Sequence, residues 1–250
     1  MNAVVDGLMT NYSKAGKGKI VVFLHGWADS GRTFEQLAQS LKNKYTIVAL
    51  DMPGFGGSQT PPTAWNTDDF SNFVASFLQK IDVGNVHAFV AHSFGGTVAI
   101  NGLAKKTLAC KKLVLIATAG VRNKNKAKRV VLLAIAKTTK LVFYPLPKHI
   151  KQKMRRKAYG KIGSDLVVLG QMEPTFKRII NEDMRASAAK LKLPTLLIYG
   201  ENDDQTPVED GRTFNGLIKN SELKVIDAAG HFVHRDESAK VSKLVGEFLS

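Results

Sequence analysis

Val86-His87-Ala88-Phe89-Val90-Ala91-His92-Ser93-Phe94-Gly95-Gly96-Thr97-Val98-Ala99 is the stretch on which the fold turns. It reads as a buried strand, a hard turn and a helix. Phe89 and Val90 are apolar and flanked by small or β-branched residues, which suits a strand covered on both faces. Gly95-Gly96 followed by Thr97-Val98-Ala99-Ile100 opens a helix. A serine stands alone at the tip between them. Ala91-x-Ser93-x-Gly95 is a near match to the G-x-S-x-G turn, in which a strained backbone lifts a serine hydroxyl to the end of a strand. The chain passes close on either side of such a serine, so only tiny side chains fit two places away. Ala91 adds one methyl to the usual glycine. A helix N-terminus at the serine favours developing negative charge. The competing reading is an ordinary strand-to-helix turn with a serine N-cap. The choice depends on what the rest of the chain supplies.

Outward from this stretch the same alternation recurs. Unbroken apolar runs at 20–24, 46–50, 113–117 and 195–199 read as buried strands. Residues 222–226 read as a further strand. Helical spacing appears at 34–41, 68–81, 209–218 and 238–249. Thr67 is the expected cap of the helix over 68–81, with Gly84 just past its end. Residues 9–13 can form an edge strand, and Ala15-Gly16-Lys17-Gly18 predicts a hairpin into the strand that follows. Strands alternating with helices imply an α/β fold, a mostly parallel sheet with helices on both faces.

The 250 residues are 44% hydrophobic, enough for one large core. Cys110 is the only cysteine, which excludes an intrachain disulfide and a cysteine metal cluster. That usage fits a reducing compartment. The first residues lack the basic region and apolar run of a signal peptide, and no run approaches the roughly 18 apolar residues of a membrane span. A cytoplasmic location is expected. The net charge of +15 is unevenly spread. Residues 121–192 hold 19 Lys or Arg against four acids, and the remainder is neutral. This boundary divides the chain into a core, 1–120 with 191–250, and a basic helical insertion, 121–190. Within the insertion, 127–144 looks helical, 150–159 is short and highly basic, and 165–180 is interrupted by Pro174.

In a parallel α/β sheet the site lies beyond the carboxyl ends of the strands. After 20–24 comes His25-Gly26-Trp27. After the central strand comes Ser93. After 195–199 comes Gly200-Glu201-Asn202-Asp203-Asp204-Gln205-Thr206-Pro207, and after 222–226 comes Asp227-Ala228-Ala229-Gly230-His231. A serine, a carboxylate and a histidine thus follow one another at strand ends on one edge. Asp203, Asp204 and Glu201 compete as the carboxylate. No acid follows 113–117 directly, where Thr118-Ala119-Gly120 stands. His231 follows glycine at a loop tip, whereas His234 reads as a surface or pocket-wall residue. His87 reads as solvent-facing, and His92 as shaping the turn. Gly54-Phe55-Gly56-Gly57 lacks the Lys-Ser/Thr of a phosphate loop and reads as a tight turn.

With His25-Gly26-Trp27, Asp51-Met52-Pro53-Gly54-Phe55-Gly56-Gly57-Ser58, Ala91-His92-Ser93-Phe94-Gly95-Gly96, Gly200 through Pro207 and Gly230-His231-Phe232 in view, the chain resembles the α/β-hydrolase fold superfamily along nearly its whole length. It is similar to small bacterial carboxylesterases, including pimeloyl-carrier-protein methyl ester esterases. The resemblance implies a serine hydrolase with Ser93 as nucleophile, His231 as base and Asp203 as its orienting acid. It implies backbone N–H groups of Trp27 and Phe94 as the oxyanion hole, with Trp27, Phe94 and Phe232 lining an acyl site. It implies His25 as a structural hydrogen-bonder, no cofactor and no metal. Relatives on this fold also cleave carbon–carbon bonds or form peracids, and a non-catalytic ligand receptor is the second class. The basic insertion stands where the superfamily carries its lid. It predicts either a solvated cover, its apolar run 130–136 facing an acyl chamber, or recruitment of an anionic membrane surface, acyl carrier protein or acidic substrate. Nucleic acid is not expected, since no reading motif is present.

Overall fold

The unbroken apolar runs form the middle of one eight-stranded sheet. A computed structural model describes residues 1–122 and 171–250. Its strands are β1 (Asn2–Val5), β2 (Leu8–Gly16), β3 (Lys19–Leu24), β4 (Tyr45–Leu50), β5 (Val86–His92), β6 (Lys112–Ile116), β7 (Thr195–Gly200) and β8 (Ser221–Ile226), in spatial order β1-β2-β4-β3-β5-β6-β7-β8. The six strands from β4 to β8 in that order run parallel, and the β1 and β2 pairings are antiparallel. All seven residues of β5 are buried. Alternate side chains enter two separate cores, because successive residues of a strand face opposite ways. Val22, Leu24, Phe89, Ala91 and Leu115 lie in one core, while Val21, Phe23, Ala88, Val90 and Val114 lie in the other.

The helices are α1 (Glu35–Leu41), preceded by a 3-10 turn (Gly31–Phe34), α2 (Thr67–Lys80), α3 (Phe94–Ala104), α4 (Glu173–Ile179), α5 (Arg185–Ala188), α6 (Val208–Leu217), α7 (Val233–Asp236) and α8 (Ser238–Leu249). Helix α2 puts Phe70, Phe73, Val74 and Phe77 into the first core with α3, and α1 and α8 cover the other. No described helix is long and apolar enough to cross a membrane.

Several expectations are corrected. β2 makes no hairpin with β3. It pairs with β4 through Tyr12 opposite Leu50, so β2 and β3 flank β4. The linking glycines serve a crossing rather than a tight turn: a Cβ on Gly16 would stand 2.2 Å from the Tyr45 carbonyl oxygen, and one on Gly18 2.4 Å from that of Lys44. β2 is also not the edge, since β1 pairs outside it across Asp6-Gly7, both at positive φ. The cap of α2 is Asn66, not Thr67. Its side chain accepts the Asp69 N–H at 3.0 Å, and the Asp69 carboxylate accepts the Asn66 N–H at 2.8 Å. The left-handed residue after α2 is Asp82, not Gly84. Pro174 lies in the first turn of α4, where a missing N–H costs nothing, so it starts that helix. His87 is buried rather than solvent-facing. It stacks on Tyr45 with ring centroids 5.8 Å apart, and its Nε2–H donates to the Leu249 carbonyl at 2.9 Å.

The charge boundary at residue 190 does not coincide with a packing boundary. Residues 171–250 belong to the same compact unit as 1–121. The Thr175 hydroxyl accepts the Trp65 N–H at 3.0 Å, Glu182 accepts that of Thr67 at 3.1 Å, and the Met184 N–H donates to the Gly120 carbonyl at 2.8 Å. The helix expected over 127–144, the basic 150–159 stretch, the apolar run 130–136 and the first part of 165–180 lie outside the described residues.

Candidate active site

Ser93 sits between β5 and α3 with φ 49° and ψ −114°. A non-glycine residue is rarely held there, and such strain concentrates at functional turns. Its hydroxyl makes no cap bond to α3, which removes the N-cap reading. The backbone is clamped: the Ser93 N–H donates to the Ile116 carbonyl at 2.9 Å, and the Ser93 carbonyl accepts from Ala119 at 3.3 Å. The flanking small residues are sterically required. A Cβ on Gly95 would lie 2.1 Å from the Leu24 carbonyl oxygen, and one on Gly96 2.3 Å from Thr118 Oγ1.

The loop after β3 passes directly over this turn. A Cβ on Gly26 would lie 2.9 Å from His92 Nδ1 and 3.3 Å from Ser93 Cβ. His25 fixes the loop. Its Nε2 accepts the Met52 N–H at 2.9 Å, so the proton is on Nδ1, which donates to the Gly26 carbonyl at 2.7 Å. Burial pushes the His25 imidazole below its usual value, which keeps it neutral and suits this tautomer.

Asp203 and His231, from the ends of β7 and β8, meet: Asp203 Oδ2 lies 2.8 Å from His231 Nδ1. A carboxylate only accepts, so Nδ1 carries the proton and Nε2 keeps its lone pair. Asp203 Oδ1 accepts the Gln205 and Thr206 N–H groups at 2.8 and 2.9 Å, and Oδ2 also accepts the Thr206 hydroxyl at 2.7 Å. Burial pushes this carboxyl up, but the bonds from His231 and Thr206 prevail and hold it below its ordinary value. Neither competitor is so placed: Glu201 accepts the Ala228 N–H, and Asp204 is exposed. The His231 main chain is tied to the serine turn, because the His92 Nε2–H donates to the His231 carbonyl at 3.0 Å. Among the described residues no hydrogen bond joins the Ser93 hydroxyl to His231 directly, and such bonds commonly tighten only with substrate in place.

His234 is neither a surface nor a pocket-wall residue. It is 2% exposed, its Nε2 lies 3.0 Å from Thr33 Oγ1, and its ring centroid is 4.6 Å from that of His92. Burial first, then the charges of Arg235 and His231, push it down to about 3. His92 is lowered well below its usual value by burial and by the neighbouring His234 and His231. A neutral histidine layer therefore backs His231. Behind Asp203 stands Asp210, pushed up to about 6 by burial and by the negative charges of Asp203 and Glu209.

Trp27 and Phe94 are buried with rings 5.6 Å apart, and Trp27 also meets Phe55 at 4.7 Å and Phe176 at 5.1 Å. Phe232 packs edge-on against His231 at 5.4 Å, beneath the Arg235 guanidinium. Phe176, Thr206 and Asp210 were not singled out from sequence. Thr206 lay within the quoted Gly200–Pro207 motif, but its role depends on which strand end faces it. Among the described residues no three His, Cys, Asp or Glu side chains are grouped to hold a metal ion.

Comparison with known proteins agrees with this architecture. The family model described as alpha/beta hydrolase fold matches residues 19–139, and that described as TAP-like protein matches 177–250. The chain is 27% identical to the 2-hydroxymuconate semialdehyde hydrolase of Pseudomonas sp. (strain CF600), over 99% of this chain and 92% of that protein. It is 26% identical to the pimeloyl-[acyl-carrier protein] methyl ester esterase of Chromobacterium violaceum, over 86% and 88%. The solved esterase of Exiguobacterium antarcticum superposes with a TM-score of 0.79 at 22% identity, covering 99% of this chain and 98% of that one.

Proposed function

Because the chain belongs to the α/β-hydrolase fold superfamily, we propose that it is a serine hydrolase cleaving a carboxylic ester or related acyl bond. One observation carries the reading. Asp203 and His231 are paired at 2.8 Å, and the His231 backbone is bonded to the residue preceding a strained Ser93.

The chemistry follows from the tautomer. His231 Nε2 takes the Ser93 proton as Oγ bonds to the acyl carbon. The resulting imidazolium is stabilised by Asp203 and hands its proton to the departing alcohol oxygen as the C–O bond breaks. Water then attacks the acyl-enzyme by the same route, releasing the acid and restoring Ser93. The oxyanion would be met by two main-chain donors. Phe94 N–H is the first of α3 and has no partner within the helix. Trp27 N–H belongs to the loop lying over Ser93. Losing one such donor typically costs about 3 kcal/mol in the transition state. The rings of Trp27, Phe94 and Phe232 would border the acyl group.

Incubation with a fluorophosphonate probe and with a short p-nitrophenyl ester tests the reading. Wild type should label and turn over, and Ser93→Ala should do neither. An unlabelled wild type, or turnover indifferent to Ser93→Ala, would point to a non-catalytic receptor. Carbon–carbon hydrolysis on the same residues is the second reading, favoured by the 27% identity to a semialdehyde hydrolase. The charge excess in 121–192 supports recruitment of an anionic membrane surface or carrier protein. Binding to anionic liposomes that stays flat as salt rises would exclude the membrane surface.

A further inference from the structure

Thr206 is 4% exposed and stands where three strand ends converge. Its Oγ1 lies 2.7 Å from Asp203 Oδ2, 3.0 Å from the Ala117 carbonyl oxygen and 3.2 Å from His231 Nδ1. A threonine hydroxyl has one hydrogen and two lone pairs. Three neighbours are more than a buried hydroxyl needs for its own satisfaction, and two of them are the members of the acid–base pair. The third, Ala117, directly follows β6 at φ 44°. That same strand end holds the nucleophile: Ser93 N–H donates to Ile116, and Ala119 N–H donates to Ser93.

We propose that Thr206 is a positioning residue of the reaction site: its hydroxyl ties the Asp203–His231 pair to the end of β6, the strand end that also clamps the Ser93 backbone. The inference rests on the serine hydrolase reading. The one hydroxyl hydrogen is shared between the Asp203 carboxylate, the shorter and charge-assisted contact, and the Ala117 carbonyl. Its lone pair then faces the Nδ1–H, so the imidazole is held by two oxygens rather than one. Two oxygens at Nδ1 limit rotation of the ring and keep Nε2 aimed in one direction. The Thr206 N–H bond to Asp203 Oδ1 at 2.9 Å belongs to the main chain and survives any side-chain change, so substitution isolates the hydroxyl.

The test is the second-order rate of Ser93 labelling by a fluorophosphonate, which needs no knowledge of the natural substrate. It is measured on wild type, Thr206→Ser, Thr206→Val and Thr206→Ala, with folding followed by circular dichroism. Val and Ala should slow labelling by about 10- to 100-fold, the range for losing a hydrogen bond to a charged group. Ser should recover most of the rate. The far-downfield proton resonance of the His231 Nδ1–H should persist in Ser and shift or broaden in Val and Ala. A folded Val or Ala variant labelling at the wild-type rate overturns the proposal. So does a Ser variant as slow as Ala, because the hydroxyl would then be present without effect. Should Val fail to fold, the Ala and Ser arms still decide. A wild type that does not label at Ser93 fails the hydrolase reading itself, and this proposal falls with it.

Discussion

Replacing His234 with Gln should flatten the acid side of the stability curve. The ring is 2% exposed, and its pKa falls from 6.5 to about 3 in the folded protein. The folded state therefore binds the proton more weakly than the unfolded chain, and unfolding takes up a proton between those two values. The associated stability is complete above the unfolded value of 6.5 and declines as pH falls toward 3. One group contributes a slope of about 1.4 kcal/mol per pH unit. Between pH 7 and pH 4.5 that amounts to about 2.7 kcal/mol, a large share of the total for a domain with ~5–15 kcal/mol in all. Gln keeps an amide within reach of Thr33 and does not titrate. His92 and His25, also lowered by burial, remain in both proteins and largely cancel. Urea unfolding at pH 7, 5.5 and 4.5 gives both curves. Whatever Gln costs at pH 7, the gap should move in its favour by about 2.7 kcal/mol at pH 4.5. Parallel curves would mean that the ring is not kept neutral in the folded state, and would refute the argument.

Gly95→Ala should destabilise by about 2–4 kcal/mol, because the new methyl meets a main-chain oxygen that cannot swing away; unchanged thermal unfolding would contradict the close approach. Asn66→Ala should cost about 1 kcal/mol through loss of the reciprocal cap on α2, read by urea unfolding. Cys110, its thiol pushed up to about 12 by burial, should resist iodoacetamide in the folded state at pH 8 and react once urea unfolds the chain. Rapid alkylation of folded protein would count against that burial.

The succession of strands and helices in the core, and the meeting of Asp203 with His231, could be read because both follow from short-range rules. Continuous apolar runs mark strands buried on both faces, and a parallel sheet gathers their carboxyl ends at one rim. Gly95 and Ala91 betrayed the tight turn by their size alone. What escaped depended on partners far along the chain. Gly16 and Gly18 carry an ordinary hairpin signature, yet they serve a crossing over Lys42–Tyr45, and local composition cannot distinguish the two. The turn at Asp6-Gly7 between β1 and β2 carries a hairpin signal that local composition does show. Histidines misled most. His87 and His234 are polar by composition, but each finds one distant acceptor or donor, Leu249 and Thr33, and is thereby admitted to the interior. Nothing local marks Thr206, because its three neighbours lie 3, 25 and 89 residues away.

The aromatic nest around residue 27 also equips the chain with its own optical reporter. Only two tryptophans are present. Trp65 lies against Phe70 and Phe73, so Trp65→Phe would leave a single indole, on the loop that overlies the serine turn. If Ser93 is acylated as proposed, that emission would register acylation and release as a change in quantum yield, allowing pre-steady-state bursts to be followed without a chromogenic leaving group.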